Sequence, residues 1–194
     1  MRRNFRLNRK IILYSLLLVS AVFGLCSCLT TARKDNYPYI WLTNNTKYIL
    51  LSPDNIEKPL DGFQRISASF DGQFYQMNTW VKADETGIDM TLLNEMGANM
   101  GELSFRGSDI SFSSAVFPSS MRPEYIVADF QFCFYSIDAL TEALKKSGLL
   151  ITETGDKRQI FQGNSIIIEI TKDNNSVIIN NHLRGYSYTL EGDF

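Results

Sequence analysis

The sequence predicts a mainly β (α+β) domain in which a run of antiparallel strands, two helices and a second run of strands follow one another. Three observations predict it. Apolar and polar residues alternate with a period of two from residue 63 to 115, broken by turn residues at the spacing usual in barrels and sandwiches. From Pro123 to Gly148 the apolar spacing lengthens to three and four. Alternation then returns and lasts to Glu191. A curved antiparallel sheet with helices packed across its open side satisfies that order.

The start of the chain stands apart from this pattern. Arg2, Arg3, Arg6, Arg9 and Lys10 precede an uncharged apolar run over residues 11–25. A basic region and a run of this length describe a secretory signal, and the run falls short of the about 20 residues that a membrane span wants. It ends in Leu25-Cys26-Ser27-Cys28. This resembles the bacterial lipobox, in which cleavage falls just before a Cys that has received a diacylglycerol thioether. Cys28 is the expected lipidation site, because Ser27 is the small residue needed before it, whereas bulky Leu25 precedes Cys26. An ordinary cleaved signal with a free N-terminus competes with this reading. The expected organisation is a lipoprotein signal over 1–27, a lipidated polar tether over 28–38, and one domain over 39–194. No Asp follows Cys28, which resembles the sorting of lipoproteins released to the outer membrane and facing the periplasm.

Cleavage before Cys28 removes five basic residues, so 19 Lys and Arg become 14 against 21 Asp and Glu, a formal charge near −7. That charge argues against nucleic acid as a partner and against adhesion to anionic lipid by charge. Cys133 is then the only Cys besides the lipidated one, which excludes a disulfide framework and reads as a buried, inert thiol.

Along the domain, residues 48–52 form a short apolar run ending at Pro53. Residues 63–70 alternate, Asp71-Gly72 supplies a hairpin turn, and 73–83 return antiparallel through Phe74, Gln76, Asn78 and Trp80. Two further strands, 87–93 and 99–105, meet at Asn94-Glu95-Met96-Gly97, and Gly107-Ser108 turns the chain into 109–115. Met96 at the apex either folds back onto the sheet or serves as a probe for membrane or ligand. Pro123 and Glu124 suit the first turn of a helix carrying Ile126, Val127, Phe130 and Phe134, although Phe130, Phe132 and Phe134 also alternate as in a strand. Ser136 as N-cap, Leu140 and Leu144 four apart, Lys145 and Lys146 in the last turn and Gly148 as stop define a second helix. Strands follow over 149–153, 158–162, 165–172, 176–180 and 185–191.

Several of these features in this order resemble LolB-like outer-membrane lipoproteins. They are Trp80 before a turn, a strand ending Leu92-Leu93-Asn94, the Glu95-Met96-Gly97 tip, Glu102-Leu103, and Ser136-Ile137-Asp138-Ala139-Leu140. A branch often encoded among aryl-polyene and related lipid-biosynthesis genes is closer still. Its acidic-hydrophobic helix and late strand correspond to Val127-Ala128-Asp129-Phe130 and Arg184-Gly185-Tyr186. The resemblance spans most of residues 63–194. It implies a half-open antiparallel β-barrel with a helical lid, LolA/LolB-like, over an apolar cavity for acyl chains. Met96 takes the place of a protruding, membrane-engaging Leu, and Glu95 that of a Pro.

Candidates for lining such a cavity are Trp80, Phe105, Phe112, Phe130, Phe134, Leu140, Leu144 and Tyr188; the competing reading is that they fill a core. Catalytic chemistry finds no purchase. His182 is the only His, no zinc ligand set can be assembled, no cofactor motif occurs, and the acidic residues fall beside turns. The expected partners are therefore membrane lipid or lipoprotein acyl chains and, through the lipid anchor, the outer membrane; a monomer is expected. The first functional reading is a non-enzymatic carrier that binds acyl chains and aids their transfer or insertion. The second is a scaffold lipoprotein with a packed core that binds an envelope protein.

Overall fold

The computed structural model describes residues 37–194 apart from 71, 119 and 193. The expected signal segment, Cys26, the expected lipidation site Cys28 and residues 29–36 of the expected tether lie outside the described residues. The elements are β1 (Tyr39–Trp41), β2 (Lys47–Ile49), a 3-10 turn (Pro53–Asn55), β3 (Leu60–Phe70), β4 (Gln73–Asp84), β5 (Gly87–Leu93), β6 (Asn99–Phe105) and β7 (Ile110–Ser114). After them come α1 (Pro123–Phe134), α2 (Ile137–Lys146), β8 (Leu150–Thr154), β9 (Lys157–Gln162), β10 (Ser165–Asp173), β11 (Ser176–Asn181) and β12 (Tyr186–Gly192).

Ten strands form one antiparallel sheet in the order β7-β6-β5-β4-β3-β12-β11-β10-β9-β8. The last strand returns beside the first of the large sheet, with Leu190 opposite Ile66 and Tyr188 opposite Ala68, so two meanders become one surface. β7 and β8 are its edges, and the sheet does not close into a barrel. Its hairpins fall at two ends. The β3–β4, β5–β6, β9–β10 and β11–β12 turns share one end, here called the tip end, and the remaining turns share the other.

Both helices lie on one face. α2 follows its expected signals: Ser136 Oγ accepts from the Ala139 amide at 3.4 Å, Leu140 and Leu144 are fully buried, and Gly148 takes φ +73° beyond the last turn. In α1 the helical reading prevails over the strand reading, and its burial explains why the alternation misled. Residues 127–134 are all buried, so apolar side chains are wanted on every side of the helix. The sheet covers one side, and the β1–β2 strap covers the other. Gln131 holds the strap, accepting from the Tyr48 hydroxyl at 2.9 Å and the Leu51 amide at 3.0 Å and donating to the Leu51 carbonyl at 2.8 Å. The Tyr48 and Phe132 rings meet at 4.8 Å. The strap draws in the end of the expected tether, since the Pro38 carbonyl accepts from the Leu50 amide at 2.9 Å.

The C-terminus of α1 is closed by a side chain from β9. Arg158 is 1 % exposed, and its Nη1 donates to the carbonyls of Phe132, Cys133 and Tyr135 at 3.2, 3.2 and 2.7 Å. Nε reaches Glu153 at 2.9 Å and Nη2 reaches Glu57 at 3.1 Å. A planar cation with five donors suits the negative end of a helix dipole and its unpaired carbonyls. Removing it strands three buried acceptors, whereas the two carboxylates can turn to water. Arg158→Met is therefore expected to lower unfolding free energy by about 3–5 kcal/mol in urea titrations.

Candidate functional site

By register, Leu60, Gly62, Gln64, Ile66 and Ala68 of β3 share the helix-bearing face with Ala83, Val81, Thr79, Met77 and Tyr75 of β4. Burial along this one face is uneven. Leu60, Gln64, Thr79, Val81 and Ala83 are buried under the helices, whereas Ile66, Ala68 and Met77 are half-buried and Tyr75 is 45 % exposed. The tip half of this apolar face is thus less covered than the half under the helices. Tyr188, beside Ala68 on β12, is half-buried there too.

Next to this less covered stretch stands the β5–β6 tip. Met96 is 90 % exposed, so it does not fold back onto the sheet. The tip is nevertheless ordered. Asn94 Oδ1 accepts from the amides of Met96 and Ala98 at 3.0 and 2.8 Å, the Asn94 carbonyl accepts from Gly97, and Gly97 supplies φ +78°. An Asx turn thereby provides stiffness that a Pro at position 95 would otherwise give. Burial of a Met side chain elsewhere would bring about 1.5–3 kcal/mol, which this one forgoes.

Below this face lies a polar cluster. Asp129, 6 % exposed, receives the Tyr186 hydroxyl at 2.8 Å, and Tyr186 also accepts from Asn181 Nδ2 at 3.1 Å. Tyr188 lies near the same carboxyl and favours its charged form. Burial pushes the Asp129 carboxyl up to about 7, against the pull of the two tyrosines and of Arg184. Arg184 in turn donates to the Tyr125 hydroxyl at 2.9 Å and to the Trp41 carbonyl. The acidic-hydrophobic stretch on α1 and the Arg-Gly-Tyr stretch meet in this cluster.

The other sequence-predicted residues separate into three groups. Phe105, Phe130, Phe134, Leu140 and Leu144 are buried in one continuous core. Phe112 and Tyr188 pack against that core at its margin. Trp80 lies on the opposite face of the sheet, 47 % exposed across from Phe63, with Nε1 donating to Asp61 at 3.0 Å. Period-two alternation marks two faces without saying which is inward, so Trp80 corrects the expected lining. Two depressions of about 400 Å³ each are lined mainly by polar groups, one at Asp173, Asn175 and Glu191 and one on β5–β7; neither lies between helices and sheet. Residues 127–134 of α1 are buried, and the apolar ones among them belong to the core. Burial pushes the Cys133 thiol well above its usual range, and His182 is exposed. Among the described residues no three His, Cys, Asp or Glu are placed to hold a metal ion.

Residues 63–192 match the family described as protein of unknown function (DUF3261), about two thirds of the 194-residue chain, and the chain belongs to that family. No curated protein matches it.

Asp129 makes stability depend on pH in a definite direction. Its folded pKa, about 7, lies above the ordinary 3.8, so the folded protein keeps a proton that the unfolded chain gives up. The associated stability is complete below about pH 4 and lost as pH rises through about 7, by about 1.4 kcal/mol per unit between them. Asp129→Asn is expected to flatten that slope in urea midpoints measured from pH 5 to 8; an unchanged slope would place the proton elsewhere.

Proposed function

We propose that this DUF3261 chain is a lipid-anchored outer-membrane protein that binds acyl chains of a lipid or lipoprotein cargo and aids their transfer into the membrane. The observation that carries this reading is Met96, 90 % exposed on a tip stiffened by Asn94, beside an apolar face that is only partly covered. A flexible thioether held out in this way can enter the boundary between headgroups and acyl chains. The partly covered face running from the tip through Ile66, Ala68 and Met77 offers an acyl chain its first apolar contact. In this reading the open sheet is a LolA/LolB-like half-open barrel, α1 and α2 are its lid, and an acyl chain enters by displacing α1 side chains from the concave face. The anchor at Cys28 keeps the protein, a monomer, at the periplasmic side of the outer membrane. No step of this work asks for a catalytic group or a cofactor.

The filled core favours a second reading, a non-catalytic scaffold lipoprotein whose surface binds an envelope protein partner. Native mass spectrometry of protein purified without detergent separates the two. The carrier retains a lipid or lipopeptide, or takes up a fluorescent acyl probe; the scaffold does neither. Met96→Glu is expected to weaken contact with liposomes about tenfold or more, since it replaces an inserted apolar group with a charge. Unchanged liposome contact and unchanged delivery of acyl probe would sink the role given to the tip.

A further inference from the structure

Near α1's first turn, three cations and three aromatic rings interleave at the surface. Lys47 Nζ sits 4.0 Å from the Tyr39 ring centre and 4.8 Å from that of Trp41. The Arg122 guanidinium lies 5.9 Å from the Tyr39 ring and 5.7 Å from the Tyr125 ring, and Arg184 lies 4.6 Å from Tyr125. These residues are brought together from the β1–β2 strap, the start of α1 and the β11–β12 turn. Rings hold cations in place without neutralising them. Arg122 also pairs with Glu124 at 3.4 Å, but among the described residues neither Lys47 nor Arg184 belongs to an ion pair.

Three features point to what this cluster meets. A chain with an expected charge near −7 gathers exposed cations at one place, which complements an anionic surface. Apolar groups accompany them: Trp41 is 38 % exposed, and Ile49, opposite Tyr39 in register, is 58 % exposed. Indole, phenol and basic groups side by side are the composition of a membrane interface. The tether from Cys28 enters the fold at this strap, and the eleven residues from Cys28 to Tyr39 reach at most about 40 Å. The turn carrying Arg184 also shares the tip end of the sheet with Met96.

We infer that Lys47, Arg122 and Arg184, set among Tyr39, Trp41 and Tyr125, form a headgroup-binding face that grips phosphates of anionic phospholipid at the membrane holding the anchor. The inference rests on the lipid-anchored reading above. Guanidinium groups bind phosphate oxygens in pairs, and the rings sit at headgroup depth beside them. The contact orients the domain with its tip end toward the lipid.

The chain has two tryptophans, so Trp80→Phe leaves Trp41 as the only one in the cluster and in the protein. The full lipidated chain carrying Trp80→Phe is incorporated into vesicles of brominated phosphatidylcholine with or without phosphatidylglycerol, and flotation and Trp41 quenching are both read. Flotation is expected in both, with strong quenching only where phosphatidylglycerol is present. Lys47→Glu with Arg122→Glu is expected to cut that quenching about five-fold or more per reversed charge. Raising salt to 1 M is expected to weaken it in the unreversed protein, a readout that needs no folding control on the reversed variant. A chain that floats with Trp41 unquenched, or quenched equally in neutral and anionic vesicles, overturns the headgroup face alone. A chain that does not float overturns the anchored reading and this inference together.

Discussion

A guanidinium shut away from water joins the layers of this protein. Arg158 projects from β9 into the end of α1, where three carbonyls converge on one of its nitrogens and carboxylates from two other segments meet the rest. Taking such a charge out of water costs several kcal/mol, so the position is tolerable only because every side of the ion is matched. Its reach explains its importance. Glu57 belongs to the segment after the 3-10 turn, and the Glu57 amide itself donates to the Phe134 carbonyl at 3.0 Å. Two residues later the Ser136 amide donates to the Asn55 carbonyl, and α2 begins. The end of one helix, the start of the next and the return of the N-terminal strap are therefore settled within a few ångströms of one side chain.

That anchorage decides what the concave face of the sheet contains. With its C-terminus fixed and Gln131 tied to the strap, α1 is pressed between two layers, and its buried aromatic side chains belong to the core. Phe130 and Phe134 meet at 4.8 Å, and Phe134 stacks on Phe194 at 5.5 Å. The middle of the helix is held differently. Asp129, Tyr186, Tyr188 and Arg184 form a polar network whose central carboxyl is raised by burial, so its strength varies with the charge it carries. A helix closed by a permanent cation at its C-terminus and held by a titratable carboxyl at its middle is fastened unevenly.

Unevenness extends to the whole sheet. The end holding Phe194 and the Arg158 clamp is covered, whereas the tip end carries exposed Met96, half-buried apolar positions on β3 and β4, and the turn bearing Arg184. Folding alone supplies no reason to hold a thioether in water on a loop stiffened by its own Asx turn. A surface that meets acyl chains and headgroups at one end supplies one, and the anchor expected at Cys28 would enter the fold near the same groups. The polar depressions elsewhere offer no comparable apolar contact.

What was legible in the sequence was what local chemistry controls. Ser136 capping, the Leu140–Leu144 spacing and Gly148 determine α2 within a dozen residues, and alternation with turn dipeptides determines the strands, because their period and breaks are written in neighbouring positions. Met96 was visible as an apolar residue at a loop apex, where local pattern left open whether it folds back, and Asp129 was visible only as part of the acidic-hydrophobic stretch. Facing was not legible. Trp80 and Phe105 stand on strands with the same alternation, yet one ends on the outer face and the other in the core, since a strand presents two sides and only the helices select one. Arg158 looks, from its neighbours alone, like one more polar residue in a strand. Its partners lie 23 to 26 residues away on α1 and 101 away at Glu57, and no local pattern encodes such pairings. The sequence by itself determined the ten strands of the large sheet, α2 and where they turn; tertiary structure alone decided that α1 is a helix buried on most of its sides, that β1 and β2 form a strap over it, and that one end of the face is less covered, because burial and charge pairing act between distant segments that meet only after folding.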